Sequence, residues 1–253
     1  MFLLISTRLD STQLLRWGWR VPFLASAVLV LLCLYVRLQL VETPAFRRSL
    51  EQGERVRVPS LVVLAKYPRE LALGTLTATT TFVIFYFMTV FTLTWATTAL
   101  GFARANYLRL QMFGVRFFGL PIPPSALLAD RIGGRTTLII ATAAIVAFGF
   151  TFSDLFGTRD VARMVVFLVL GFSLTGFTYG PLGSTLASLF PTAVRYTGTS
   201  LAFNFAGILG ASLAPYIANR LAIGHGVGYV GLYLSAAGII TLGALLVMRK
   251  ISQ

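Results

Sequence analysis

Apolar residues fill seven runs of about 20 positions, the length a helix needs to cross a hydrocarbon core of roughly 30 Å. The runs cover 21–40, 71–99, 107–128, 136–152, 165–187, 197–221 and 228–248, and polar residues collect in the segments between them. No run alternates polar and apolar positions as a barrel strand would. A backbone in lipid must satisfy its own hydrogen bonds, so all seven are predicted to be helices. The pattern predicts an all-α integral membrane protein with seven transmembrane helices, placed as a multi-pass protein in the plasma membrane.

Composition supports this. Of 253 residues, 57% are hydrophobic and 11% charged, against roughly a quarter charged in a soluble domain. The net charge of +13 does not point to nucleic acid, because the basic residues are scattered singly without a dense tract. Membrane flanks account for them better. Cys33 is the one cysteine and lies in an apolar run, so no intramolecular disulfide or thiolate metal cluster can form around it. No metal and no cofactor is expected. His225, in "IGHGVG", reads as a loop residue rather than a proton carrier. The opening "MFLLISTRLD" is too short for a signal-peptide core, lacks a small-residue cleavage pattern and reads as the end of a helix.

The one extended polar segment, between the first two runs, holds Arg47, Arg48, Arg55, Arg57, Lys66 and Arg69 and is expected on the cytoplasmic side. That choice puts Arg131, Arg135, Arg195, Arg249 and Lys250 inside. It leaves Arg8, Arg16, Arg20, Arg104, Arg109, Arg159, Arg163 and Arg220 outside, with Arg37 and Arg116 within runs. Pro121, Pro123 and Pro124 predict a bend near the inner end of the third run.

Between the third and fourth runs, "LLADRIGGR" sets an acid and two bases around two glycines. Gly133 and Gly134 supply a tight reversal, and an ion pair there would brace neighbouring helix ends; a solvated turn without a role is the alternative. "ALLADRIGGR" resembles the cytoplasmic loop between helices eight and nine of the major facilitator superfamily. Ala126 stands where that pattern has glycine, and Gly134 where it has a second base. "WGWRVPFLASAVLVLLCLYVRLQLVETPAF" is similar to the sixth helix of the metabolite and proton symporter branch, and "FYFMTVFTLTWATTALG" to the seventh. "YGPLGSTLASLFPTAVRYTGTSLAFNFAGILGASLAP" is similar to the tenth and eleventh. Members of that branch carry dicarboxylates, shikimate, betaine or related solutes. Ser188 replaces an acid and Ala193 a base of the branch, so the changes at Gly134 and Ser188 read either as one linked loss or as relaxed constraint.

In order, the runs resemble helices six to twelve of a twelve-helix transporter. The resemblance implies four regions: a helix tail and outer loop at 1–20, the sixth helix at 21–40, a cytoplasmic linker at 41–70 and a six-helix carboxyl-terminal half at 71–253. Alternating access in such folds rocks two halves around a midplane site, so the amino-terminal half is expected as a separately encoded partner or on a longer reading frame. The other partners are the lipid bilayer and a small, organic-acid-like solute; nucleic acid is not among them. The alternative is a non-transporting truncated remnant or an assembly partner of a transporter.

Site candidates follow. Asp10, Glu42, Glu51, Glu54, Glu70, Asp130, Asp154 and Asp160 all fall between runs or at their edges, which moves the proton-coupling carboxylate to the missing half. Arg116, in "QMFGVRFFGL", is the one centrally placed charge. At about 2.5–3.5 kcal/mol for an arginine at the membrane centre it must face protein or water. There it lines a cavity and attracts an anion, or it marks drift in a degenerate helix. Asn204 serves as cavity lining or interhelical glue. Tyr86 and Thr89 share a helical face by spacing, and Tyr179 precedes Gly180 and Pro181, where a break would open backbone groups to a cavity. The gating loop comprises Asp130, Arg131, Gly133 and Arg135. A retinal pump is excluded because Lys66 and Lys250 are the only lysines and neither lies within a run. A ligand receptor would leave the motif matches as coincidence. An enzyme is not expected, because no nucleophile and base are arranged together.

Overall fold

The computed structural model describes Gln13, residues 16–39 and residues 58–248. Arg8, Asp10, Glu42, Arg47, Arg48, Glu51, Glu54, Arg55, Arg57, Arg249 and Lys250 lie outside the described residues, and with them four of the six basic residues of the extended polar segment. Every regular element among the described residues is helical. The chain divides into two units, Met1–Gly53 and Glu54–Gln253.

The first unit holds a 3-10 turn, Gly18–Arg20, leading into α1, Val21–Gln39. Pro22 falls in the first turn, where its missing N–H breaks no helical bond. Phe23, Leu24, Val28, Leu31 and Tyr35 are all exposed, so α1 is apolar all round, as a helix solvated by hydrocarbon is.

The second unit begins with α2, Pro59–Lys66, and α3, Pro68–Tyr86. Tyr67 between them leaves helical geometry (φ −126°, ψ 40°) because the ring of Pro68 disfavours a helical conformation in the residue before it. α3 runs through a π turn, Phe87–Phe91, into α4, Thr92–Thr98, so Pro68–Thr98 is one rod of 31 residues. The next rod, Arg104–Ile132, consists of α5, Arg104–Gly119, and α6, Ile122–Ile132. The helical pattern breaks between them at Leu120 and Pro121, beside the prolines where a bend was expected.

α7, Gly134–Phe150, the single turn α8, Phe152–Phe156, and α9, Val161–Ala187, follow. α10, Arg195–Gly207, passes through a second π turn, Ile208–Leu213, into α11, Ala214–His225, and α12, Val227–Val247, closes the described chain. Among the described residues six helices are long and apolar enough to cross a membrane. The remaining predicted run is α7, whose 17 residues span about 25 Å, the lower limit for a crossing helix.

Two apolar clusters mark the ends of the second unit. Leu71, Leu138, Leu189, Val194 and Met248 meet in one, which puts the starts of α3, α7 and α10 beside the ends of α9 and α12. Ala96, Tyr107, Phe156, Met164, Ala222 and Val230 meet in the other, so successive rods run in opposite directions. The second end is aromatic: the Phe152 ring stands edge-on to Phe167 at 4.7 Å, and Phe156 stacks on Phe167 at 4.9 Å. Such pairs contribute about 0.5–1.5 kcal/mol each beyond their burial.

Small residues bring the rods together, since lipid tails give apolar side chains no reason to leave them. A Cβ on Gly149 of α7 would lie 2.6 Å from the Gly231 carbonyl oxygen of α12, and nearby the Ser235 hydroxyl donates to the Val146 carbonyl at 2.8 Å. Gly210, in the second π turn, lies against the backbone of Phe82 and Val83 in α3. α3 and α12 also exchange hydrogen bonds: the Thr80 hydroxyl donates to the Ala237 carbonyl at 2.9 Å, and the Thr241 hydroxyl to Leu76 at 2.5 Å.

Candidate functional site

A polar side chain inside such a bundle persists only where its hydrogen bonds are met. Most threonines meet them within their own helix, as Thr75 does at Leu71 and Thr92 at Met88. Gln111 of α5 works between helices. Its Nε2 donates to the carbonyls of Met88 and Thr89, at 2.6 and 2.8 Å, and both belong to the π turn that interrupts α3. Gln111 is 7% exposed. A π turn displaces carbonyls from the helical register and is common at functional positions, and here a buried amide fastens one. The sequence reading missed Gln111, although a lone amide in "LRLQMF" carries the same signal that singled out Asn204.

Three candidates gather beside this contact. Tyr86 ends α3 half-buried, and Thr89, in the π turn, donates its hydroxyl to the Phe85 carbonyl at 2.7 Å. Tyr179 of α9 is half-buried within electrostatic range of Tyr86. Its ring meets Phe118 of α5 edge-on at 5.1 Å, and Phe118 stands 5.8 Å from Phe85. Thr89 therefore meets Gln111 and Tyr179 meets Phe118, with Tyr86 beside Phe85, along the seam where α3, α5 and α9 converge. The break expected after Tyr179 does not form. α9 is continuous through Pro181, and Gly180 lets it lie so close to α6 that a Cβ would sit 2.7 Å from the Ile122 carbonyl oxygen.

Arg116 and Asn204 stand apart from that group. Arg116 is exposed in the last turn of α5 and has no hydrogen bond or ion pair among the described residues. The one ion pair among those residues joins Arg163 to Asp160 at 3.6 Å on the surface. Asn204 is exposed too, but its Nδ2 donates to the Ser200 carbonyl at 2.7 Å, one turn back in α10. Among the described residues the amide bonds within its own helix and not across to another.

The charged loop differs from its expected form. Gly133 has φ 90° and ψ 141°, a conformation that glycine adopts at little cost. Gly134 opens α7 against α9, where a Cβ would run into the Thr185 hydroxyl. Asp130 and Arg131 are exposed and form no ion pair among the described residues, so the expected charge brace is absent there. Arg135 supplies a different brace. Its Nε donates to the Leu245 carbonyl at 2.5 Å and its Nη2 to Leu246 at 3.0 Å. Among the described residues these carbonyls end α12 without helical partners, at the negative pole of the helix. Ser188, capping α9, donates to the Thr185 carbonyl at 2.8 Å, so positions 134 and 188 both adjoin Thr185.

The described acids sit at helix ends: Glu70 in the first turn of α3, Asp130 near the end of α6, Asp154 in α8, and Asp160 capping α9 by accepting from the Ala162 N–H at 2.9 Å. Among the described residues no group of three or more His, Cys, Asp and Glu converges to hold a metal ion. An apolar cavity of about 230 Å³ lies between α3, the second π turn, α11 and α12, lined by residues such as Leu76, Val83, Leu213 and Ile240. None of the site candidates lines it.

Long apolar rods locked by glycine contacts, with most polar groups satisfied inside and charge kept to their ends and one open face, define a multi-pass helical membrane protein. The profile of the Major Facilitator Superfamily matches residues 11–215, and the chain belongs to that superfamily, in its metabolite-transport branch. It is 45% identical over 254 residues to the inner membrane metabolite transport protein YhjE of Escherichia coli K12, covering 98% of this chain and 58% of that protein. It is 32% identical over 208 residues to the citrate-proton symporter of Salmonella typhi, covering 81% and 47%. It is 31% identical over 230 residues to the proline/betaine transporter of Escherichia coli K12, covering 85% and 45%. The chain thus spans about half the length of these relatives. No solved structure gives a significant match. The relatives' names describe transport rather than catalysis.

Proposed function

We propose that the chain acts as the carboxyl-terminal portion of a secondary-active transporter that moves a small, organic-acid-like metabolite with protons by alternating access. Residues 71–253 form the six-helix half, 21–40 the helix before it, 41–70 a cytoplasmic linker and 1–20 a helix tail and outer loop. An amino-terminal half, on a longer chain or separately encoded, completes the pathway, and solute is held between the halves as one rocks against the other.

The observation that carries this reading is Arg116. Its guanidinium lies within a membrane rod, exposed and without a partner among the described residues. An arginine at that depth is not left facing hydrocarbon, and a fixed fork of donors matches a carboxylate in bidentate fashion. The name of the citrate-proton symporter agrees with an acidic solute. The described acids all lie at helix ends, so the proton-coupling carboxylate is assigned to the other half.

Uptake of labelled organic acids into vesicles tests this, with the chain alone and with an amino-terminal half supplied as a second polypeptide. Uptake driven by a proton gradient is expected only with both. Gradient-driven uptake by the chain alone would refute the placement of the coupling group. No uptake in either case favours a remnant or an assembly partner.

A further inference from the structure

α5 has a second arginine on the face that carries Arg116. Arg109 precedes it by seven residues, and seven residues fall within about 20° of two full helical turns. The two side chains therefore share one stripe, about 10.5 Å apart along the axis. Met112 and Phe113 lie between them and are 51% and 43% exposed. The opposite face is the packed one: Tyr107, Gln111 and Gly114 are buried there, with Gly114 set against Leu168 and Phe172 of α9. Arg109 was read from the sequence as part of an outer flank, but α5 starts at Arg104 and carries it inside the helix.

Neither arginine has a hydrogen bond or an ion pair among the described residues. No acid lies on the stripe, since α5 contains none. Two uncompensated guanidinium groups on one face of a membrane rod need anions or water. A lipid phosphate at the rim can reach Arg109, but Arg116 lies about 18 Å further along the rod than its start at Arg104, too deep for a headgroup that also serves the rim. A free solute with two negative groups can meet both.

We propose that Arg109 and Arg116 form a two-point anion site, with Arg109 the specificity-determining residue that selects solutes carrying two separated carboxylates over those carrying one. Each guanidinium takes one carboxylate through paired donors. Met112 and Phe113 give the intervening methylene chain an apolar floor. The site rests on Arg116 as the primary anion anchor and adds the second contact that sets selectivity.

The test is equilibrium binding to the full chain in phosphatidylcholine nanodiscs, with three probes of equal length: pimelate with two carboxylates, heptanoate with one, and 7-aminoheptanoate with a carboxylate and an amine. The wild type is expected to bind pimelate at least ten-fold more tightly than heptanoate, a difference of about 1.4 kcal/mol. Arg109→Gln should bring pimelate down to the heptanoate level and leave heptanoate unchanged. Arg109→Glu should lose pimelate and gain 7-aminoheptanoate, a reversal that general damage to the fold cannot produce. Arg109→Lys should keep most of the preference for pimelate. Equal pimelate and heptanoate affinity in the wild type, or equal losses of both in Arg109→Gln, would overturn the two-point site. So would loss of pimelate binding on adding phosphatidylglycerol, which would assign Arg109 to lipid headgroups. Arg116→Gln is expected to weaken pimelate and heptanoate alike; if it leaves both unchanged while Arg109→Gln acts, the Arg116 anchor fails and with it the basis of the functional proposal.

Discussion

The two faces of α5 handle polarity in opposite ways. On one, Gln111 is buried and spends both amide hydrogens on the carbonyls of the π turn in α3. On the other, Arg109 and Arg116 are exposed and have no partner among the described residues. Both faces belong to one rod of a membrane protein, where an unmet polar group costs more than in water. The satisfied group holds helices together; the unsatisfied groups require something from outside the chain. Hydrogen bonding, rather than polarity itself, separates scaffold from site.

The largest change in stability is expected on the scaffold side. Gln111→Leu leaves the Thr89 carbonyl without its cross-helix donor, at about 1–3 kcal/mol for an unsatisfied group, while the Met88 carbonyl keeps the Thr92 hydroxyl. The midpoint of thermal unfolding of the detergent-solubilised chain should fall by roughly 2–12 °C. An unchanged midpoint would mean that the π turn needs no fastening, and the contrast between the faces would lose its first half.

A smaller effect is expected at the charged loop. Arg135→Gln removes the charged donor from the last carbonyls of α12, worth about 1 kcal/mol. Amide exchange should quicken in the last turn of α12 and stay unchanged in α5. Equal exchange in both would show that the bonds to Leu245 and Leu246 do not brace the end. The smallest change is expected at Asn204, whose amide bonds within its own helix at an exposed position: Asn204→Ala should shift stability by no more than about 0.5 kcal/mol. A fall in solute binding without a fall in stability would move Asn204 from a solvated helix surface to the solute path.

The length of the apolar runs made the rods legible, and the prolines at 121, 123 and 124 made the interruption between α5 and α6 legible. Hydrophobic periodicity does not distinguish an α turn from a π turn, because both keep apolar side chains within one run, so Phe87–Phe91 and Ile208–Leu213 read as ordinary helix. Gln111 and Asn204 show the same limit at single residues. Each is an amide in an apolar helix, and only the neighbouring helix reveals that one bonds across the bundle and the other within its own turn. Tyr86, Thr89 and Tyr179 were singled out separately, but the meeting of Tyr179 with Phe118 depends on how α5 and α9 pack through Gly114 and Gly176. The loop signature fixed the turn at Gly133, whereas the partner of Arg135 is 110 residues away in the chain.

The contrast between the two faces is tested most directly by thiol accessibility in membranes. After Cys33→Ser removes the native thiol, which is free and exposed, single substitutions Arg116→Cys and Gln111→Cys are treated with a charged, water-soluble methanethiosulfonate. Rapid modification of Arg116→Cys, slowed by pimelate, with no reaction of Gln111→Cys, is the predicted result. Failure of Arg116→Cys to react, while a lipid-soluble maleimide labels it, would place that face against hydrocarbon and contradict the account.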